Sequence, residues 1–187
     1  MRFKALSLAI TAAVAGAVLG TLPAAAAAHG GIEAVWALRR VTFFYQGFTT
    51  RYSCGGLRDQ IRHMLRKAGA RHLEVREYGC SKPVGVDPFP GVRVVMQVLV
   101  PVSSEHGDKA GPVILAHWQR IVLMPSNAGF EEQGNCELIE QFKVTFLPLF
   151  TTRRISYGSN CVPHQLTLGT HLSAEVLMPD IRPARGR

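Results

Sequence analysis

Apolar residues recur at three- and four-residue steps in one stretch of the chain: Leu57, Ile61, Met64, Leu65 and Ala68, with Arg58, Arg62, Arg66 and Lys67 falling on the other side. That spacing fits one face of a helix with 3.6 residues per turn. Gly69 is placed to end this helix, because glycine enters the left-handed conformation without a side-chain clash. Lys67 suits the negative end of the helix dipole. Leu73 and Val75 then alternate with charged residues up to Tyr78, the period of a half-exposed strand.

A second stretch repeats the theme. Leu138, Ile139, Phe142 and Phe146 make a helical stripe that Pro148 stops, with Asn135 as a cap and Glu137 and Glu140 in the first turns. Leu138, Phe142, Val144 and Phe146 also fit a strand at two-residue spacing, and the helix is the preferred reading. Residues 151–157 follow as a strand. Further strands are expected at 41–45, at 92–100 before Pro101, at 118–124 before Pro125 and at 172–177 before Pro179. Residues 103–111 and 127–134 read as loops. The order strand, helix, strand, strand, strand, helix, strand, strand predicts an α+β fold, a mainly antiparallel sheet with two helices on one face. Two similar halves make a ferredoxin-like sandwich of split β-α-β units the leading topology.

The first 28 residues stand apart from this pattern. Arg2 and Lys4 precede a charge-free run from residue 5 to 22, Pro23 breaks it, and Ala24, Ala25, Ala26, Ala27 and Ala28 supply small residues for cleavage. These are the parts of a secretory signal peptide, and Ala and Gly make the run too weakly apolar for a good membrane anchor. The expected organisation is a signal peptide at 1–28, one domain at 29–180 and a flexible basic tail at 181–187. No later run is long and apolar enough to cross a bilayer. The expected address is the periplasm or the medium.

Export changes the meaning of the cysteines. Cys54, Cys80, Cys136 and Cys161 are an even set in an oxidising compartment, so disulfides are expected rather than free thiols. Four cysteines allow three pairings. The separations favour one of them, since Cys54 and Cys80 are 26 positions apart and Cys136 and Cys161 are 25 apart. In each pair the first cysteine opens a helix and the second follows a strand. The preferred pairing meets one geometric difficulty. The outer strands of a split β-α-β unit lie roughly 10 Å apart, whereas bonded cysteines need α-carbons within about 7 Å.

Two blocks then look familiar: YSCGGLRDQIRHMLRKAGAR with its later YGC, and NCELIEQF followed by LPLFTTR and CVPHQ. Over residues 52–165 the chain resembles an uncharacterised family of small exported proteobacterial proteins. The resemblance implies export and carries no activity. The first block is also faintly similar to heavy-metal-associated domains, but Gly55, Gly56 and Leu57 follow Cys54 where those domains place a second cysteine.

Charge adds little. The chain holds 21 Lys and Arg against 13 Asp and Glu, and losing Arg2 and Lys4 lowers the net charge from +8 to +6. An envelope protein or an anionic envelope component is the expected kind of partner, and nucleic acid is not, given the compartment. Arg58, Arg62 and Arg66 are anion-binding candidates as a ridge, with the solvated face of an amphipathic helix as the plainer reading. Trp36, Phe43, Phe44, Tyr45 and Phe48 could line a groove, though core packing explains them as well. Cleavage after Ala28 would leave His29 as the terminus, whose amine and imidazole could brace copper with His117, His164 or His171. Cys161 and His164 have a zinc-compatible spacing with no second pair to complete four ligands. There is no nucleophile elbow, zinc-protease helix, phosphate loop or dinucleotide fingerprint. The leading reading is a non-enzymatic binding or envelope-assembly domain without a cofactor; the alternative is a copper protein or copper enzyme.

Overall fold

Among the described residues the two periodicities resolve into six strands and two α-helices. In chain order these are β1 (Ile32–Phe44), α1 (Cys54–Lys67), β2 (Arg71–Tyr78), β3 (Gly91–Pro101), β4 (Ile114–Leu123), α2 (Cys136–Thr145), β5 (Thr152–Gly158) and β6 (His171–Pro179), with a 3₁₀ turn at Leu147–Leu149 after α2. The computed structural model describes residues 31–48, 50–81, 85–103, 111–124, 136–159 and 170–180, all within the unit Gly31–Arg187. The predicted signal peptide, the basic tail, most of both predicted loops, Asn135, Cys161 and His164 lie outside the described residues.

The strands form one sheet in the order β2-β3-β1-β4-β6-β5, and every pairing is antiparallel. The α+β class with an antiparallel sheet is therefore as the sequence predicts. Two strands are longer than expected. β1 starts at Ile32 rather than at residue 41, and β4 at Ile114 rather than at 118. For β1 the reason is burial on both faces. Ala34, Val35 and Ala37 are all buried, so this part of β1 shows no two-residue alternation to read.

Helix α1 matches its sequence pattern closely. Leu57, Ile61, Met64, Leu65 and Ala68 are all buried. Ser53 Oγ accepts from the Gly56 N–H at 3.0 Å, capping the first turn, and Gly69 leaves the helix with φ of 91°. In α2, Leu138, Ile139 and Phe142 are buried, as is Phe146 just beyond it, so the helical stripe prevails over the strand reading. Both helices contribute to one continuous core with alternate residues of β1, β3, β4 and β6. A smaller cluster of Ala34, Leu99, Ala116 and Leu177 sits on the opposite pleat, flanked by Trp36 and Trp118.

Cys54 and Cys80 are joined, with α-carbons 6.3 Å apart. The difficulty over strand separation disappears because neither cysteine lies in an outer strand of the unit. Cys54 opens α1, and the chain beyond β2 turns back toward it. Ser53 bridges to Val86, and the Asp87 N–H donates to the Tyr52 carbonyl at 3.1 Å. The buried Asp87 carboxylate accepts from the Ser81 N–H at 2.7 Å, the Ser81 hydroxyl at 2.8 Å and the Phe89 N–H at 3.0 Å, holding the turn. Cys136 is also disulfide-bonded. Among the described residues, no helix is long and apolar enough to cross a membrane.

Candidate functional site

Two-residue alternation gives the sheet a second face, opposite the large core. Register places Leu38, Arg40 and Phe44 of β1, Arg93 and Gln97 of β3, and Arg71 and Tyr78 of β2 together on it. Arg40, Arg71 and Arg93 are exposed there. So are two large apolar side chains, Leu38 at 45% and Phe44 at 44%. The far side of the same face carries Trp118 and Arg120 of β4, Glu175 of β6 and Arg153 of β5.

Several of these arginines lie on aromatic rings. The Arg71 guanidinium is 4.9 Å from the Trp36 ring centroid, Arg93 is 3.7 Å from Tyr78, and Arg153 is 4.4 Å from Trp118. Phe44 extends the second of these, 5.5 Å from Tyr78. A guanidinium over a ring keeps its five N–H donors, and its fork matches an oxyanion with two parallel hydrogen bonds. Arg71 reaches its ring because β2 is bulged between Arg71 and Glu74, with His72 in the left-handed region at φ of 45°. Bulges of this kind re-aim side chains.

Neutralisation differs across the face. Arg153 and Arg154 both bond Glu175, at 2.5 and 2.9 Å. Hydrogen bonding from Arg153, ahead of that from Arg154, holds the Glu175 carboxyl below the usual carboxylate range. Arg76 pairs with Glu74. Among the described residues, no carboxylate pairs with Arg40, Arg71, Arg93 or Arg120. Three of these four cations therefore sit on the β2-β3-β1 side.

The predicted helix ridge is occupied differently. Arg58 bonds Asp59 at 2.9 Å and Glu77 at 2.8 Å, and Arg62 bonds Asp59 at 2.7 Å and the Val75 carbonyl at 3.2 Å. Much of their donor capacity is thus spent within the protein; Arg66 is exposed nearby. Of the aromatic candidates, Phe43 and Tyr45 are buried, Trp36 is half-buried, and Phe44 and Phe48 are exposed. His29 lies outside the described residues. His117 bonds Asp180 at 2.9 Å, and His171 stands against Gly158 on the paired strand. Among the described residues, no three His, Cys, Asp or Glu side chains converge as a metal site.

A cleft of about 440 Å³ lies between the 45–52 and 87–90 segments. Several of its polar groups serve the fold. Tyr45 Oη donates toward Glu137 Oε2 and the Thr50 carbonyl, both at 3.0 Å, and the Phe48 N–H donates to Glu137 Oε1 at 2.9 Å. Burial, and next the Glu137 carboxylate, push the Tyr45 and Tyr52 hydroxyls well above the usual tyrosine range. They stay protonated near neutral pH and supply no base.

Sequence reasoning missed the arginines of the sheet face because they come from three separate strands, and only sheet order brings them together. Comparison with known families, curated proteins and solved structures gave no match to this chain.

Proposed function

We propose that this is an exported, disulfide-stabilised, non-enzymatic binding domain that holds an anionic envelope glycan on the β2-β3-β1 side of its open sheet face. One observation carries the reading: Arg40, Arg71 and Arg93 share an exposed face without carboxylate partners among the described residues, two of them over aromatic rings. Their spread favours an extended ligand over a single phosphate. Arg71 faces Gln97, and Arg93 lies four residues further along β3, about 13 Å at the usual rise per residue. Leu38, level with Gln97 and Arg71, and Phe44, one pair beyond Arg93, suit the C–H faces of sugar rings. The paired cysteines support an oxidising address and, with it, the cleavable signal. The same reading includes a Cys136–Cys161 disulfide. It also takes each half as a split β-α-β unit with both helices on one face, supported by β3 between β1 and β2, by β6 between β4 and β5, and by the shared core.

The test uses mature protein purified from the periplasm and titrated with polygalacturonate, neutral dextran and anionic phospholipid vesicles. Salt-dependent binding of the polyuronate is expected, lost in R40Q/R71Q/R93Q and retained in R58Q/R62Q/R66Q. No polyuronate binding, equal binding of dextran, or binding of vesicles alone would overturn the proposal.

A further inference from the structure

The two halves of the chain are copies of one β-α-β-β unit, and the sheet order reads the same from either end about the β1–β4 contact. Glu33 pairs with Leu115 at its centre, Ile32 with Ala116, and Ala34 with Ile114. Residues 82 positions apart therefore exchange under a pseudo-twofold axis: Ile32 with Ile114, Ala34 with Ala116, Trp36 with Trp118, Cys54 with Cys136 and Arg71 with Arg153. The only two non-glycine residues with positive φ among those described, His72 and Arg154, obey the same offset. So do the bulges of β2 and β5. In the last strand of each unit the offset is 78, relating Val98, Leu99 and Pro101 to Val176, Leu177 and Pro179. Even the closing hydrogen bonds correspond, Val102 N–H to the Glu33 carbonyl and Asp180 N–H to the Leu115 carbonyl.

The Arg-on-Trp pair is thus duplicated, but its surroundings are not. Arg71 faces Gln97 across the β2–β3 ladder, whereas Arg153 faces Glu175 across the β5–β6 ladder. Positions 97 and 175 are equivalent by the offset of 78. Glu175 bonds both Arg153 and Arg154, while no described carboxylate meets Arg71. Resting on the glycan reading above, we propose that positions 97 and 175 decide which copy of a duplicated subsite binds. Gln97 leaves Arg71 available for a uronate carboxylate, and Glu175 occupies the place of that carboxylate in the second copy. The second half is a silenced anion site whose own glutamate stands in for the ligand.

The two tryptophans lie on opposite sides of the axis, three residues each from the Glu33–Leu115 pair, so the subsites are about 20 Å apart. An oligouronate shorter than that reaches one subsite at a time. Calorimetric titration of the mature protein with such an oligomer should show one equivalent for wild type and, for Glu175→Gln, a second and weaker one, because Arg40 and Arg93 have Val122 and His171 as their counterparts. Gln97→Glu should bind at least about tenfold more weakly, the scale of one charged hydrogen bond. The swap Gln97→Glu/Glu175→Gln should regain one equivalent, now abolished by Arg153→Gln and indifferent to Arg71→Gln, which misfolding could not mimic. Wild-type affinity in Gln97→Glu, or a single equivalent in Glu175→Gln, overturns this inference while leaving the glycan reading intact. Failure of wild type and Glu175→Gln alike to bind removes both.

Discussion

Removing the Cys54–Cys80 crosslink should cost the fold much of its margin. The bond closes a span of 26 residues, for which the chain-entropy relation gives about 3.5 kcal/mol at room temperature. Its α-carbon separation of 6.3 Å is ordinary for a disulfide, so distortion of the native state takes little away. The crosslink also ties the start of α1 to the end of β2, and the turn held by Asp87 depends on both. At 2–4 °C per kcal/mol for a domain of this size, the double variant Cys54→Ala/Cys80→Ala should melt about 7–14 °C lower. Urea unfolding separates the contributions. The midpoint should fall, and the slope m should rise, because the unlinked denatured chain exposes more surface. Cys54 is only 5% exposed, so alanine also removes a buried sulfur; Cys80→Ala alone leaves that sulfur in place and should retain most of the effect. A double variant within about 1 kcal/mol of wild type, with unchanged m, would refute the entropic argument for this bond.

Asp87→Ala strands the Ser81 and Phe89 donors and should destabilise by about 2–4 kcal/mol in denaturant titrations. Glu137→Ala removes one of the two acceptors of the Tyr45 hydroxyl and the acceptor of the Phe48 N–H, so the Phe48 amide should exchange faster and stability fall by about 1–3 kcal/mol. Leu65→Ala, at a fully buried α1 position, should cost about 2–5 kcal/mol in the same titrations. Alkali should unfold the protein in a defined direction. Tyr45 and Tyr52 keep their protons in the folded state above the pH at which the unfolded chain releases them. Stability is therefore full below about pH 10 and falls above it by up to about 1.4 kcal/mol per pH unit for each tyrosine. Urea titrations from pH 9 upward should show this slope, and Tyr52→Phe should halve it; a flat profile would contradict the burial of both hydroxyls.

Helix α1 was legible in the sequence because every determinant is local: the buried stripe, the lysine in the last turn and Gly69 beyond it. The Cys54–Cys80 pairing was legible for a related reason, since that pair brackets one helix and one strand. The N-terminal part of β1 was not, because burial on both faces of Ala34, Val35 and Ala37 erases the period that marks a strand. The helix ridge shows the opposite limit. Arg58 and Arg62 stand at the spacing of an anion-binding ridge, but Glu77, which bonds Arg58, and the Val75 carbonyl, which bonds Arg62, come from β2.

What the sequence determined by itself is the set of elements and which side of each is apolar, because both follow from spacings of two to four residues along one backbone. Only the tertiary structure decided that β1 lies beside β4, that bulges carry Arg71 over Trp36 and Arg153 over Trp118, and that Gln97 and Glu175 are counterparts. Those relations depend on pairing between strands far apart in sequence. Alternation assigns a residue to a face of the sheet, and hydrogen-bonded register alone assigns its neighbours there.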